Sequence, residues 1–243
     1  MASTSTGSGS GESMRRMVGA WSPLDDTSPE ATGHLAREGR PVDSVYLVGN
    51  PMIDTLLASM DRFDTAAARA TLGLPDGYVV ATLHRPSNVD EPAAAAALVL
   101  ALHEVADELD VVIPVHPRGR AALQAAGLGA HPRLQMAPPL GYLEFIALVK
   151  GAKAVITDSG GVQEETTLLR VPCLTLRPNT ERPITVTSGS NRLVTRPELA
   201  SAVLKACDDG PYRGELPPLW DGQAGPRIAR IITAWLAQEG PHE

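Results

Sequence analysis

Short apolar stretches rich in β-branched residues alternate along the chain with longer segments whose apolar residues recur at helical spacing. The stretches predict strands at Val45–Val48, Tyr78–Leu83, Val111–Val115, Leu134–Ala137, Ala154–Thr157 and Cys173–Leu176. The other segments predict helices at Pro51–Met60, Thr65–Leu72, Glu91–Leu109, Arg118–Ala126, Gly141–Val149, Val162–Leu169, Pro197–Cys207 and Gln223–Ala237. The strands are almost continuously apolar, as in a parallel sheet with helices on both faces. The sequence therefore predicts an α/β fold.

The start of the chain differs in composition from the rest. Ser, Gly and Thr dominate residues 1–13, and such a segment has too little apolar surface to fold. A short helix is predicted over 28–38, with Ser28 as its N-cap, Pro29 at the first helical position and Gly39 after its end. We therefore predict a disordered or unmatched segment at 1–26 and one domain at 27–243.

Net charge, hydropathy and cysteine content exclude several classes of function. The 243 residues carry a formal net charge of -7, which argues against nonspecific nucleic-acid binding because that requires a basic surface. No apolar run reaches the roughly 18 residues that suggest a membrane helix. The two cysteines, Cys173 and Cys207, lack metal-ligand spacing and are expected to be free thiols in a reducing cytoplasm. A local cluster of donors can still hold a phosphate on an acidic protein.

Polar residues follow several predicted strands at the edge where an α/β sheet binds ligands. His84 and Arg85 follow the second predicted strand, His116 follows the third, and Asp158 begins the turn after the fifth. Turns favour Gly, Pro and Asn for backbone reasons, but that preference does not account for His and Arg at several turns. The pattern predicts a functional site at this edge of the sheet.

The segment DSGGVQEE, from Asp158 to Glu165, predicts a diphosphate site between a strand and a helix. Glycines let backbone N–H groups approach an anion, and the first helical turn offers unpaired donors. One of the glutamates could accept hydrogen bonds from ribose hydroxyls. The segment lacks the Gly-Lys-Ser/Thr ending of a Walker A loop. An ordinary strand–turn–helix junction stays open as the alternative.

Basic side chains elsewhere at the same edge could assist anion binding. Arg85 offers a planar guanidinium that suits phosphate, and His84 can donate a hydrogen bond or move a proton. Arg182 lies with Glu181 in a loop bounded by prolines, which presents polar side chains. Two other interpretations remain: a solvated histidine, and a surface Glu181–Arg182 ion pair that adds little stability.

The strings that carry a family resemblance extend from Thr27 to Leu236. They are Val48–Pro51, Ile53–Leu56, Thr82–Pro86, Asn88–Asp90, Pro114–His116, Asp158–Glu165, Thr180–Pro183 and Asp221–Ala224. In this order and spacing they resemble the bacterial non-hydrolysing UDP-N-acetylglucosamine 2-epimerases. The resemblance implies a Rossmann-like doubly wound parallel sheet with helices on both faces, similar to the C-terminal domain of a GT-B fold, and UDP bound in a cleft between two such domains.

The resemblance also implies a reaction. UDP-GlcNAc and UDP-ManNAc are interconverted without metal, nicotinamide or another cofactor, by removal of the C2 proton, expulsion of UDP and its re-addition to a glycal. The implied roles are diphosphate binding by Ser159, Gly160 and Gly161, ribose binding by Glu165, stabilisation of leaving UDP by His84 and Arg182, and a second, regulatory UDP-GlcNAc site at Arg85 and His116.

One departure from the family pattern affects the expected activity. Most of the N-terminal domain is missing from the sequence, and the carboxylates proposed for proton transfer belong to that domain in the family. We therefore expect UDP binding with little turnover by the chain alone. A UDP-sugar-binding module or partner subunit without catalysis is the main alternative, and a GT-B glycosyltransferase is a weaker one. Two assemblies are compatible with the resemblance: a homodimer and a complex with a separate N-terminal-domain partner.

Overall fold

The structure is a computed structural model that describes Gly33, Leu35, Arg37–Gly39, Pro41 and residues 45–239. The segment predicted to be disordered or unmatched, 1–26, lies outside the described residues. Most of the helix predicted over 28–38 also lies outside them. Gly33, Leu35 and Arg37 are helical, which agrees with that prediction where it can be compared.

A six-stranded parallel sheet organises the described residues. Its strands are β1 (Val79–Thr82), β2 (Val111–Pro114), β3 (Leu134–Ala137), β4 (Ala154–Thr157), β5 (Cys173–Thr175) and β6 (Asn191–Leu193). The spatial order is β3-β2-β1-β4-β5-β6. The chain therefore winds in one direction from β1 to β3 and in the other from β4 to β6. The order reverses between β1 and β4, where a doubly wound sheet binds ligands.

Ten α-helices precede, connect and follow the strands within residues 45–239. They are α1 (Pro51–Ala58), α2 (Thr65–Thr71), α3 (Pro86–Val89), α4 (Pro92–Ala106), α5 (Pro117–Ala125), α6 (Tyr142–Gly151), α7 (Gly160–Leu169), α8 (Ile184–Thr187), α9 (Leu199–Asp209) and α10 (Ala224–Glu239). The longer helices agree with the predicted ones to within a few residues at each end. The four-residue helices α3 and α8 were not predicted, because one turn is too short to show a helical period.

The first predicted strand was wrong, and the last strand of the sheet was not predicted. Val45–Val48 does not form a strand of the sheet, and only Leu47 makes an isolated bridge. The Val48 carbonyl instead accepts a hydrogen bond from the Arg227 side chain at 3.2 Å, next to the start of α10. The sixth strand is β6, a three-residue strand whose first two residues, Asn191 and Arg192, are polar.

Apolar residues cover both faces of the sheet. Val79 and Val111 pack into a cluster with α4 and α9 on one face. Their neighbours Val80 and Val112 pack into a second cluster, with residues of α6, on the other face. Successive side chains of a strand point to opposite faces, so near-continuous apolar strands can fill both clusters. The doubly covered parallel sheet predicted from the pattern is confirmed.

Helix α10 is held to α1 at its beginning. The Asp54 carboxylate of α1 accepts hydrogen bonds from the backbone N–H groups of Ala224, at 3.2 Å, and Gly225, at 2.8 Å. Beyond Ala224, the described side chains of α10 are half-buried or exposed, and Leu236 is 56% exposed. Among the residues that the structure describes, no helix is long and apolar enough to cross a membrane.

Candidate functional site

Asp158 connects the two loops that meet where the strand order reverses. Its side chain follows β4 and is fully buried. The carboxylate accepts hydrogen bonds from the backbone N–H groups of His84, at 3.1 and 3.2 Å, and Arg85, at 2.9 Å. It also accepts one from Asn88 Nδ2 at 2.9 Å. Asp158 therefore holds the turn after β1 against the turn after β4.

The His84 imidazole is paired with the same carboxylate. Its Nδ1 lies 3.1 Å from Asp158 Oδ1, and its side chain is 41% exposed. This hydrogen bond raises the pKa of His84 above its usual value, although burial opposes the shift. Burial disfavours the charged form of Asp158, but hydrogen bonds from His84, Asn88 and Arg85 outweigh it and lower the pKa of Asp158. Because the Nδ1–H of His84 donates to Asp158, the Nε2 atom on the other side of the ring is available for a ligand.

The start of α7 offers backbone donors beside this pair. Ser159 is the N-cap residue, and its side chain makes no capping hydrogen bond. Gly160 and Gly161 are the first helical residues, whose N–H groups have no acceptor within the helix. A Cβ on Gly160 would lie 2.8 Å from Glu181 Oε1, and one on Gly161 would lie 3.0 Å from Met52 Cε. Glycine therefore permits the loops to pack closely and keeps these donors uncovered.

Arg182 is held near α7 by a buried glutamate. Its Nε lies 3.1 Å from Glu164 Oε1, in an ion pair that is not aligned as a hydrogen bond. The Glu164 side chain is 1% exposed, whereas that of Arg182 is 37% exposed. Burial raises the pKa of Glu164, and the charge of Arg182 acts in the opposite direction. Arg182 thus has part of its side chain accessible at the site.

Glu165 lies on the second turn of α7 and faces α6. Its side chain is largely buried and hydrogen-bonded to Tyr142. Burial raises the pKa of Glu165 to about 7, although the Tyr142 hydrogen bond lowers it. Burial also raises the pKa of Tyr142 to about 12. The Glu165 carboxyl can therefore change its charge near neutral pH.

Glu181 pairs with two arginines from different segments. Its carboxylate lies 3.1 Å from Arg85 Nη2 and 2.6 Å from Arg177 Nη2. The hydrogen bond from Arg177 is the main cause that lowers the pKa of Glu181 to about 2. The surface ion pair considered between Glu181 and its neighbour Arg182 is not present in these contacts, because Arg182 pairs with Glu164.

The other residues expected at the site lie nearby. Arg85 also donates from Nε to the Asp158 carbonyl at 2.9 Å. The rings of His116 and His84 are 5.8 Å apart, and His116 caps α5 by accepting a hydrogen bond from Arg118 N at 3.3 Å. No group of three or more His, Cys, Asp or Glu residues that could hold a metal ion occurs in the described ranges.

Sequence reasoning did not identify several residues that build this site. The sequence places Asp158 at the start of the glycine-rich turn but does not predict its pairing with His84. Asn88 contacts Asp158, 70 residues away. Tyr142 contacts Glu165 on another helix, and Glu164 contacts Arg182 in a loop. Asn88 and Glu164 lie in strings that carry the family resemblance, but the partners of their side chains cannot be read from the sequence.

This geometry defines a Rossmann-like domain with unpaired backbone donors at a helix N-terminus, at the switch point of its sheet where doubly wound folds bind ligands. The chain belongs to the UDP-N-acetylglucosamine 2-epimerase family, whose model matches residues 8–233. This finding confirms the family resemblance recognised in the sequence.

Individual relatives agree with this assignment. A UDP-N-acetylglucosamine 2-epimerase from Methanocaldococcus jannaschii is 35% identical over 215 residues, which cover 84% of this chain and 58% of the relative. A UDP-2,3-diacetamido-2,3-dideoxy-D-glucuronate 2-epimerase from Pseudomonas aeruginosa is 36% identical over 216 residues, 84% of this chain and 57% of that protein. The chain therefore spans somewhat more than half the length of these relatives.

A solved structure shows the same fold. The crystal structure of the Methanocaldococcus jannaschii UDP-GlcNAc 2-epimerase in complex with UDP-GlcNAc and UDP matches with a TM-score of 0.77 and 34% identity. The match covers 86% of this chain and 60% of that one. It confirms the predicted Rossmann-like domain of a GT-B-type epimerase.

Proposed function

We propose that the chain is the nucleotide-binding half of an epimerase that interconverts UDP-GlcNAc and UDP-ManNAc. The observation that carries the proposal is the glycine-lined start of α7, with Arg182 and His84 beside it. Backbone donors, a guanidinium and an imidazole with a raised pKa suit the charge of a diphosphate. The structure of an epimerase with UDP-GlcNAc and UDP, similar to this chain at 34% identity, supports the choice of ligand.

In this proposal the N–H groups of Gly160 and Gly161, with the Ser159 hydroxyl, hold the diphosphate. Arg182 and the imidazolium of His84 stabilise the negative charge on the departing UDP. Stabilisation of this kind lowers the barrier because the charge increases as the bond breaks. Glu165 accepts hydrogen bonds from ribose hydroxyls when it is ionised.

The proposed reaction has two balanced steps. A base takes the C2 proton, the C2–H electron pair forms the C1–C2 double bond, and the C1–O electron pair leaves with UDP. UDP then adds back to C1 while a proton reaches C2 from the opposite face. Arg182 and His84 act on the leaving and returning UDP. The family resemblance assigns the proton-transferring carboxylates to the N-terminal domain, so turnover requires that domain.

Arg85 and His116 are proposed to contribute to a second, regulatory UDP-GlcNAc site. His116 lies beside His84, and the side chain of Arg85 is 37% exposed. This proximity would let a ligand on one side influence the nucleotide on the other. The binding stoichiometry tests this proposal. Two molecules of UDP-GlcNAc bound per chain, with the N-terminal domain present, would support it, and one molecule per chain would contradict it.

The substrate sugar has a second candidate. The Pseudomonas aeruginosa relative, which acts on a diacetamido uronate by its name, is 36% identical, against 35% for the Methanocaldococcus jannaschii UDP-GlcNAc epimerase. Both substrates share the UDP group that the described site would hold. A direct comparison of UDP-GlcNAc with UDP-2,3-diacetamido-2,3-dideoxy-D-glucuronate as substrates decides between them.

We propose a cytoplasmic protein that acts as a homodimer or with an N-terminal-domain partner. The two cysteines are free, as is usual in a reducing compartment. The half-buried apolar side chains of α10 offer a surface for such a partner. Analytical ultracentrifugation of the purified chain would separate a monomer from a homodimer.

The test of the proposed function is isothermal titration with UDP, followed by proton NMR with UDP-GlcNAc in D2O. We expect UDP to bind, and an Arg182→Ala variant to bind it at least about 10-fold more weakly, since hydrogen bonds to charged groups contribute about 1.5–3 kcal/mol. Lys205→Ala, on the exposed side of α9, is the charge-matched control. UDP binding that Arg182→Ala leaves unchanged would contradict the proposed site.

The NMR arm separates catalysis from binding. Deuterium at C2 of newly formed UDP-ManNAc would show that the chain itself removes the proton, and would overturn the assignment of the base to another domain. Line broadening of the uridine signals without a change at C2 is the expected result. The alternative function is a UDP-sugar-binding module without catalysis. If that alternative holds, we expect no turnover even when the N-terminal domain of a relative is added.

A further inference from the structure

A buried hydrogen-bond network connects the glycine-rich turn to the loop that carries Arg182. Its centre is the Gln163 side chain of α7, which is fully buried. Gln163 Nε2 donates to the Ser159 carbonyl at 3.1 Å. Its Oε1 accepts from Thr180 Oγ1 at 2.6 Å and from Asn191 Nδ2 at 3.0 Å. One side chain thus contacts the turn, the arginine loop and β6.

The same network holds the Arg182 backbone on both sides. The Arg182 N–H donates to Thr180 Oγ1 at 3.0 Å. The Arg182 carbonyl accepts from Thr185 Oγ1 at 2.7 Å, and Thr185 Oγ1 accepts from Asn191 Nδ2 at 3.0 Å. Each hydroxyl that touches Arg182 is therefore itself held by Gln163 or Asn191.

The donor and acceptor roles in this network allow one arrangement. The Ser159 carbonyl can only accept, so Gln163 must present Nε2 to it and Oε1 to Asn191. Asn191 must then present Nδ2 to Gln163, and its Oδ1 faces Thr175 Oγ1, which donates at 2.7 Å. If either side-chain amide were reversed, two acceptors or two donors would face each other between Gln163 and Asn191. A fully satisfied buried network of this kind specifies a single conformation.

We infer that Gln163, Asn191 and Thr185 are positioning residues that fix Arg182 relative to the phosphate-binding turn. The inference rests on the proposed function and adds to it how the arginine and the backbone donors are kept in one geometry. The guanidinium of Arg182 is separately paired with Glu164. The hydrogen-bond network therefore fixes the backbone from which the Arg182 side chain extends, and the ion pair fixes the direction of the side chain. Electrostatic stabilisation of a leaving group depends on donors that are already in place.

Thr185→Val provides the test because it keeps the shape of a fully buried side chain and removes the hydroxyl. We expect about a 10-fold loss of UDP affinity by isothermal titration, as one misplaced charged contact would cause. Thr185→Ser keeps the hydroxyl and should recover most of the affinity. Thr166→Val is the matched control, because Thr166 is equally buried on α7 but its hydroxyl bonds to the α7 carbonyls of Val162 and Gln163.

A double-mutant cycle separates positioning from a general structural effect. If Thr185 acts through Arg182, Thr185→Val should weaken UDP binding in the wild-type background and have no effect in the Arg182→Ala background. Its effect on thermal stability should be similar in both backgrounds. An equal loss of UDP affinity in both backgrounds, or no loss in either, would overturn the inference.

A second measurement does not depend on UDP. The Nε–H NMR signal of Arg182, assigned by its disappearance in Arg182→Ala, reports on the position of the guanidinium. Thr185→Val should shift or broaden this signal, and Thr185→Ser should restore it. If the wild-type chain fails to bind UDP, the proposed function fails, but this signal still decides the inference: an unchanged signal in Thr185→Val would contradict it.

Discussion

The imidazole Nδ1 of His84 lies 3.1 Å from Oδ1 of Asp158, a carboxylate with no exposed side-chain surface. The two residues follow neighbouring strands, β1 and β4, but are 74 positions apart in sequence. Their pairing keeps the imidazole oriented and favours its charged form. The histidine at the proposed diphosphate site is therefore prepared to stabilise negative charge.

Asp158→Asn should lower the pKa of His84, because the hydrogen bond to Asp158 is the main cause of its raised value. Imidazolium attracts the diphosphate, so UDP affinity in the wild type should fall as pH rises through the raised pKa of His84. In Asp158→Asn this fall should occur at lower pH. NMR titration of the His84 Cε1 proton and UDP titrations between pH 5.5 and 8.5 measure both effects.

The same pair should affect stability in a defined direction. A histidine whose folded pKa is raised stabilises the fold most below its unfolded pKa, and this contribution is lost as pH rises through the folded pKa. The part of the difference in unfolding free energy between wild type and Asp158→Asn that comes from His84 should therefore disappear at alkaline pH. His84→Gln is the control, since it should remove the pH-dependent part of the difference.

Glu165 should produce a pH dependence of opposite sign. Its pKa is raised to about 7, so the ionised form that can accept from ribose hydroxyls increases as pH rises through that value. Ribose-dependent affinity, measured as UDP against its 2′,3′-dideoxy analogue, should increase over the same range. Glu165→Gln should abolish the increase. Because the hydrogen bond from Tyr142 lowers this pKa, Tyr142→Phe should move the increase to higher pH.

Arg182→Met should destabilise the fold because it leaves Glu164 buried without its counter-charge. We expect a loss of about 1–3 kcal/mol, smaller than for a fully buried pair since Arg182 is 37% exposed. The charge of Arg182 lowers the pKa of Glu164, so this pKa should rise further in Arg182→Met. The loss should therefore grow as pH rises from the folded pKa of Glu164 in the wild type to its higher folded pKa in the variant. Denaturant unfolding at pH 5 and pH 8 measures it.

Glu164→Gln supplies the corresponding control. In the Arg182→Met background it removes the unpaired charge and should recover much of the lost stability at pH 8. A double variant that is as unstable as Arg182→Met alone would show that the buried charge is not the cause.

Gly49→Ala should be among the more destabilising glycine substitutions. Gly49 has φ +90°, and a Cβ there would lie 2.3 Å from the Leu219 carbonyl oxygen. Backbone cannot move aside as a side chain can, so we expect a loss above about 2 kcal/mol. Gly73→Ala is the matched control: it also has positive φ, +62°, but no atom lies within 4 Å of its Cβ. It should lose only about 1 kcal/mol. Equal losses would contradict the role of the contact with Leu219.

Several parts of the fold could be predicted because each depends on a local pattern. The apolar strands β1 to β5 and the longer helices follow from hydrophobic period, and the start of α7 follows from two glycines after a strand. β6 could not be predicted, since three residues beginning with Asn191 and Arg192 show no apolar run. Conversely, Val45–Val48 has the composition of a strand, but its backbone contacts Arg227 instead of the sheet.

The sequence by itself determined the class of fold and the family, and it singled out the glycine-rich segment for which diphosphate binding is proposed. Strand and helix periods are local, and the order of short polar strings is readable without coordinates. Only the tertiary structure decided which polar groups meet: Asp158 with His84, Glu164 with Arg182, and Gln163 with Asn191. The physical reason is that buried polar groups must find partners wherever the packed elements bring them, and in the first of these pairs the partner lies 74 residues away.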